Sequence, residues 1–235
     1  MILGDTCTRN CRFCAVKKAS ATSLTIDLEE PYRIAAAVKG LGLDYVVITS
    51  VTRDDLSDAG AGQFARTIAL IRGIDTDIKI EVLIPDFSGN PESLKTVIEA
   101  GPSLLAHNME TVRRLYPAIR PEANYGLSLE IFRRAKKFQP ALLTKSSLML
   151  GLGEREEEVI QTMEDLRDSR CDILTLGQYL APSQVHYPIQ EFVSIEQFRK
   201  YRELGLVLGF KAVSSGPKVR SSYQAEKLYR EVVYV

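Results

Sequence analysis

The chain has 235 residues, of which 45% are apolar and 26% charged, with 30 basic side chains against 30 acidic ones. Such a composition suits a soluble globular protein that buries a sizeable core without staples, and the even charge gives no bulk attraction for nucleic acid or an anionic membrane. No apolar run approaches the roughly 20 residues of a membrane span, and the start lacks the basic and apolar regions of a signal peptide. Three of the four cysteines, Cys7, Cys11 and Cys14, lie within eight residues. That is a ligand arrangement rather than a disulfide framework, and it predicts a reducing, cytoplasmic compartment.

In chain order, Met1–Leu3 is expected as a first strand feeding the cysteine loop. Pro31 then suits a first helical turn ahead of Ile34, Val38 and Leu41. Tyr45–Ile48 reads as a strand, with Thr49, Ser50, Arg53, Asp54 and Asp55 as a polar cluster at its end. Phe64, Ile68 and Ile71 recur at helical spacing before the apolar run Ile78–Ile84 and the short Leu104–Ala106. Leu142–Leu150 follows. After it come Val159, Met163 and Leu166 on one helical face, with Glu156, Glu157 and Glu158 in the dipole-complementing first turn. Ile173–Leu176 is the last clear strand. The linker-like Leu180–Pro188 separates it from a helix around Ile195–Leu206.

Strands alternating with helices predict parallel β/α units, about six of them against the eight of a complete barrel. The expected fold class is therefore α/β: a partial, open (β/α)6-type TIM barrel with parallel strands and its site at their carboxyl ends. Residues 1–180 form the expected core, and residues 181–235 complete the same domain.

The spacing Cys7-x3-Cys11-x2-Cys14 supplies three thiolates for three irons of a [4Fe–4S] cluster. The fourth iron stays open to a substrate, which in enzymes with this spacing is S-adenosylmethionine. A zinc site wants a fourth ligand in a paired arrangement, and His107 and His186 each stand alone in the sequence. Cys171, single and beside a strand, reads as a small buried hydrophobe.

Elements at later strand ends would hold the nucleoside. Gly151 and Gly153, in Met149-Leu-Gly-Leu-Gly-Glu154, allow close approach to the backbone. Asn108 and Glu110 suit ribose hydroxyls or the amino-acid end, with a helix cap as the plainer role for Asn108. Lys145 enters an apolar strand beside Ser146 and needs a partner there. Thr49 and Ser50 stand where ligand contacts are expected.

Taken together these residues resemble the lipoyl synthases. Gly4-Asp-Thr-Cys-Thr-Arg-Asn-Cys-Arg-Phe-Cys14 is similar to the radical-cluster loop of that family. The likeness continues through Tyr45–Ser50 with Arg53–Leu56, Pro85-Asp-Phe87, His107–Val112, Thr144-Lys-Ser146 and Gly151-Leu-Gly-Glu154. It ends with Leu174–Leu180, Pro182-Ser183, Gly209–Pro217 and Arg220-Ser-Ser-Tyr223.

The resemblance implies radical insertion of two sulfur atoms into a protein-bound octanoyl chain, after reductive cleavage of S-adenosylmethionine. It implies an octanoylated lipoyl-carrier domain as partner, from a 2-oxoacid dehydrogenase or the glycine cleavage system. A low-potential electron donor such as ferredoxin or flavodoxin follows as well. In that family a second, auxiliary [4Fe–4S] cluster gives up the sulfur, held by three N-terminal cysteines and a serine, which by position is Ser222. The segment carrying those cysteines has no counterpart in this sequence. Two other outputs are compatible with the same loop: hydrogen abstraction without sulfur insertion, and a catalytically silent fragment that binds the carrier.

Overall fold

The computed structural model describes residues 1–19 and 24–234. The described chain divides into two compact units. The first comprises residues 1–9, 16–106 and 134–142, and the second residues 10–15, 107–133 and 143–235.

The first unit opens with two-residue strands β1 (Thr6–Cys7) and β2 (Lys17–Lys18), which pair in parallel. Helix α1 (Glu30–Leu41) starts at Pro31 and stops at Gly42, whose left-handed φ of 60° closes the last turn. Strand β3 (Tyr45–Thr49), helix α2 (Ala61–Arg72), strand β4 (Lys79–Leu83), helix α3 (Pro91–Glu99) and strand β5 (Leu104–Ala106) follow. β3 pairs β4 with Tyr45 opposite Lys79, and β4 pairs β5 with Glu81 opposite Leu104. Helix α3 begins where the Asn90 side chain accepts from the N–H groups of Glu92 and Ser93, relieving two unpaired donors. Phe64, Ile68 and Ile71 of α2 are fully buried with Ile80 and Val82, and Phe64 meets Phe87 edge to face at 6.5 Å.

Next come helices α4 (Tyr116–Ile119) and α5 (Tyr125–Phe138). Strand β6 (Leu143–Leu150), helix α6 (Glu156–Asp168), strand β7 (Ile173–Gln178), helix α7 (Ile195–Val207), strand β8 (Ala212–Gly216) and helix α8 (Ala225–Val233) complete the chain. Lys145 faces Ile173 in the β6–β7 ladder, and Ile173 faces Ala212 in β7–β8. Every residue of β7 is buried, as expected of a parallel strand covered on both faces. The start of α6 is closed by Glu158, which accepts from the Arg155 N–H at 2.8 Å and pairs with Arg114. Those Arg114 contacts hold the Glu158 carboxyl down to about 2.

Strands β3, β4 and β5 run parallel in sequence order in the first unit, and β6, β7 and β8 do so in the second; each strand is succeeded by a helix, so six β/α units are present as expected. Met1–Leu3, expected as the first of them, is not one. Only Ile2 forms a bridge, to Ser50, because Gly4 and Leu3 take positive φ and turn the chain away. β8 with α8 supplies the sixth unit instead.

Candidate active site

Cys7 stands at the end of β1, and the backbone N–H of Thr52 points at its Sγ from 3.4 Å. Thr8 ties the same stretch to the loop after β3. Its N–H donates to the Thr52 carbonyl at 3.0 Å, and its hydroxyl accepts the Asp54 N–H at 3.1 Å. Arg9 is 6% exposed and reaches two carboxylates. Its Nε and Nη2 donate to Asp54 at 2.8 and 2.9 Å, while Nη1 and Nη2 donate to Asp86 at 2.6 Å each. Burial works against the guanidinium charge, but Asp86 and Asp54 outweigh it and hold its pKa above the ordinary value. Burial likewise opposes the Asp54 carboxylate, and Arg9, Ser88 and Thr8 overcome it, lowering its pKa.

Cys11 and Cys14 belong to the second unit. There the Cys14 N–H donates to the Cys11 carbonyl at 3.2 Å, and the Arg12 N–H to the Ile119 carbonyl at 2.9 Å. Cys7, Cys11 and Cys14 stand outside any disulfide and are half-buried, whereas Cys171 is fully buried among the apolar side chains of the second unit's core. Three partly accessible thiols, one of them with a backbone N–H aimed at its sulfur, fit an iron–sulfur ligand set, since such donors stabilise cluster sulfurs. Among the described residues, no three or more His, Cys, Asp or Glu side chains are gathered as a metal site.

A cavity of about 150 Å³ opens within the second unit at the carboxyl ends of β6 and β7. Asn108, Glu110, Ser147, Gly177, Gln178 and Arg220 supply its polar lining, and Phe13 and Tyr179 its rings. The backbone at Glu110 is left-handed, with φ 66°. It is held by a parallel bridge to Leu148 and by N–H donation to the Ser147 carbonyl at 3.0 Å. Burial raises the Glu110 pKa against the lowering pull of Arg120 and of the Asn108 amide. The Asn108 Oδ1 is buried without a hydrogen-bond partner among the described residues, which leaves an acceptor for a ligand.

The other expected ligand residues have different placements. Ser146 is fully buried, and its Oγ accepts the Met109 N–H at 3.2 Å, so it supports the Asn108–Glu110 turn from behind. Lys145 is 1% exposed, and its carbonyl accepts the His107 N–H at 3.0 Å. Gly151 and Gly153 have φ of 93° and 98°. At Gly151 the close neighbour is the chain itself: a Cβ there would lie 2.3 Å from the Glu191 carbonyl. Glu154 accepts from the Gly151 and Leu152 N–H groups at 2.5 and 2.9 Å, which fixes this turn. Thr49 and Ser50 lie at the end of β3 in the first unit, where the Ser50 Oγ is buried without a partner among the described residues. Ser222 is exposed on the turn before α8.

Gly177, Gln178, Arg220 and Ser221 also line the cavity, and the sequence alone assigns them no role. The signal was available in part. Gly177 precedes a strand end, and a Cβ on it would meet the Val219 carbonyl at 2.0 Å.

The Radical SAM superfamily model matches residues 1–166. The lipoyl synthase of Caldanaerobacter subterraneus subsp. tengcongensis is 54% identical over 226 residues, covering 96% of this chain and 78% of the relative. That of Aquifex aeolicus is 53% identical over 225 residues, covering 96% of this chain and 81% of the relative. The chain belongs to the lipoyl synthase family. Solved structures agree on the fold of this family member. Methylornithine synthase, 17% identical, superposes with a TM-score of 0.68 over 94% of this chain and 72% of its own. A maturase of the [FeFe]-hydrogenase, 15% identical, does so with 0.65 over 97% of this chain and 61% of its own. Among the described residues, no helix of this lipoyl synthase relative is long and apolar enough to cross a membrane.

Proposed function

We propose that the chain performs lipoyl synthase chemistry, the radical insertion of sulfur into an octanoyl chain borne by a lipoyl-carrier domain. The observation that carries this is the 54% identity over 96% of the chain to a lipoyl synthase. Cys7, Cys11 and Cys14 are the proposed ligands of a [4Fe–4S] cluster. When bound, that cluster supplies the electron that cleaves S-adenosylmethionine, drawn from a low-potential donor such as ferredoxin or flavodoxin.

The chain's own residues bind, orient and shield. The cavity at the ends of β6 and β7 suits one end of S-adenosylmethionine. Asn108 Oδ1 accepts from that ligand, and the Glu110 carboxyl, raised by burial, presents a hydrogen-bonding edge beside it. Phe13 and Tyr179 exclude water from the same space. Ser146 and Glu154 act one step removed, by fixing the two turns. Thr49, Ser50, Lys145, Gly151 and Gly153 remain proposed contacts at strand ends. Ser222, exposed on its turn, is the proposed ligand of a sulfur-donating auxiliary cluster.

The test is anaerobic reconstitution followed by reaction with S-adenosylmethionine, a reductant and an octanoylated carrier domain. Formation of 5′-deoxyadenosine with a thiolated carrier is expected. Absence of 5′-deoxyadenosine from protein holding its cluster overturns the proposal. Abundant 5′-deoxyadenosine with an unmodified carrier reassigns the chain to hydrogen abstraction alone.

A further inference from the structure

We infer that Arg9 is a positioning residue that sets the electron-donating environment of Cys7 through a buried two-carboxylate clamp. Arg9 lies between Cys7 and Cys11, yet its side chain turns inward and is nearly inaccessible. Its four hydrogen bonds run to Asp54, after β3, and to Asp86, after β4. Both carboxylates are themselves held. Ser88 donates its hydroxyl to Asp54 at 2.8 Å and its N–H to Asp86 at 3.0 Å. The planar guanidinium meets each carboxylate through two of its N–H groups, a geometry that lysine does not reproduce.

The clamp acts on Cys7 through Thr8 and Thr52. Asp54 is joined to Thr8, Thr8 to Thr52, and the Thr52 N–H points at the Cys7 sulfur. Fixing Asp54 therefore fixes a backbone donor aimed at that sulfur. An N–H donated to a cluster sulfur raises the cluster's reduction potential, so losing the clamp makes the cluster harder to reduce. In protein without a cluster, the same donor and the same packed loop slow attack by the Cys7 thiol.

The inference rests on Cys7 being a cluster ligand, and two measurements separate the ideas. The first uses apo protein carrying Cys11→Ser and Cys14→Ser, where Cys7 is the accessible thiol and Cys171 is fully buried. Alkylation of Cys7 by iodoacetamide, read by peptide mass, is expected to quicken about tenfold on adding Arg9→Met. Arg9→Lys should restore only part of the protection. The second reads the midpoint potential of the reconstituted cluster in the three-cysteine protein, which Arg9→Met should move to a more negative value with iron content unchanged. Where Arg9→Met does not fold, Asp86→Asn is measured by the same two readouts. Unchanged alkylation and an unchanged potential in a folded variant overturn the clamp. Absence of bound iron in the unmutated chain instead overturns the ligand assignment and leaves the alkylation result to stand on its own.

Discussion

The Asn108 side-chain amide donates to the Glu110 carboxylate at 2.9 Å, across a backbone forced left-handed at Glu110. A non-glycine residue in that region costs of order 1 kcal/mol or more and persists only where its surroundings over-determine it. Here they do. The Glu110 N–H donates to Ser147, its carbonyl accepts from Met149, and Ser146 holds the intervening Met109. The turn thus places Asn108 and Glu110 on the lining of one cavity, with the Asn108 Oδ1 unpaired among the described residues.

Glu110→Gln should stabilise the protein increasingly as pH rises. Burial raises the Glu110 pKa in the folded state, so its stability contribution is full below the unfolded value and is lost as pH climbs through the folded one. Glutamine keeps the acceptor for Asn108 and carries no charge. Thermal unfolding of both proteins between about pH 4 and about pH 8 checks this, with a gap expected to widen toward about 1 kcal/mol. A gap constant across that range would exclude Glu110 as the responsible group.

Cys11→Ala should abolish 5′-deoxyadenosine formation by removing a cluster ligand. Cys171→Ala should leave it intact and cost about 1–2 kcal/mol of stability, because that thiol is completely buried in apolar surroundings. Product chromatography with parallel denaturant titrations reads both.

Gly177→Ala places a methyl 2.0 Å from the Val219 carbonyl, in contact with backbone rather than with a yielding side chain. Overpacking of this kind costs about 1–3 kcal/mol. Because Gly177 and Val219 both line the cavity, binding of S-adenosylmethionine should weaken as well, which equilibrium dialysis measures. A folded variant with unaltered binding would detach the cavity from the ligand.

Glu154→Ala removes the acceptor of the Gly151 and Leu152 N–H groups and should cost about 1–3 kcal/mol. Glu154→Gln, which keeps one acceptor oxygen, should recover about half of that loss. Hydrogen exchange at the Gly151 and Leu152 amides reports the turn directly.

Reconstituted protein of these 235 residues should hold about four irons per chain, since three of its four cysteines account for one cluster. About eight would mean that a second cluster finds ligands elsewhere in the same chain.

Strands β3 to β7 are legible because apolar β-branched runs such as Tyr45–Ile48 and Ile173–Leu176 have no helical period, whereas the two-residue β1 and β2 carry no such run. Helices α1, α2, α6 and α7 were legible from their spacing. Ala212–Gly216 does not read as a strand because its Ser-Ser-Gly half suits a turn, and pairing with β7 overrides that propensity. Asn108 and Glu110 were legible as polar residues directly after an apolar strand. Arg220 was not legible as a lining residue, since only the tertiary path brings its guanidinium to the Gln178 carbonyl, 3.1 Å away and 42 positions earlier. Glu154 stands at a strand end where a ligand contact is expected, and its carboxylate also accepts the N–H groups of its own turn, two acceptor roles that spacing alone does not separate.

The double carboxylate partnership of Arg9 bears on transplantation. A short peptide carrying Cys7-x3-Cys11-x2-Cys14 would capture iron through its sulfurs but would carry a loose arginine, because Asp54 and Asp86 lie 45 and 77 positions downstream. Grafting the loop onto another barrel therefore demands two acidic residues on the host's corresponding loops. The smallest portable unit of this chemistry is the loop together with the ends of two strands.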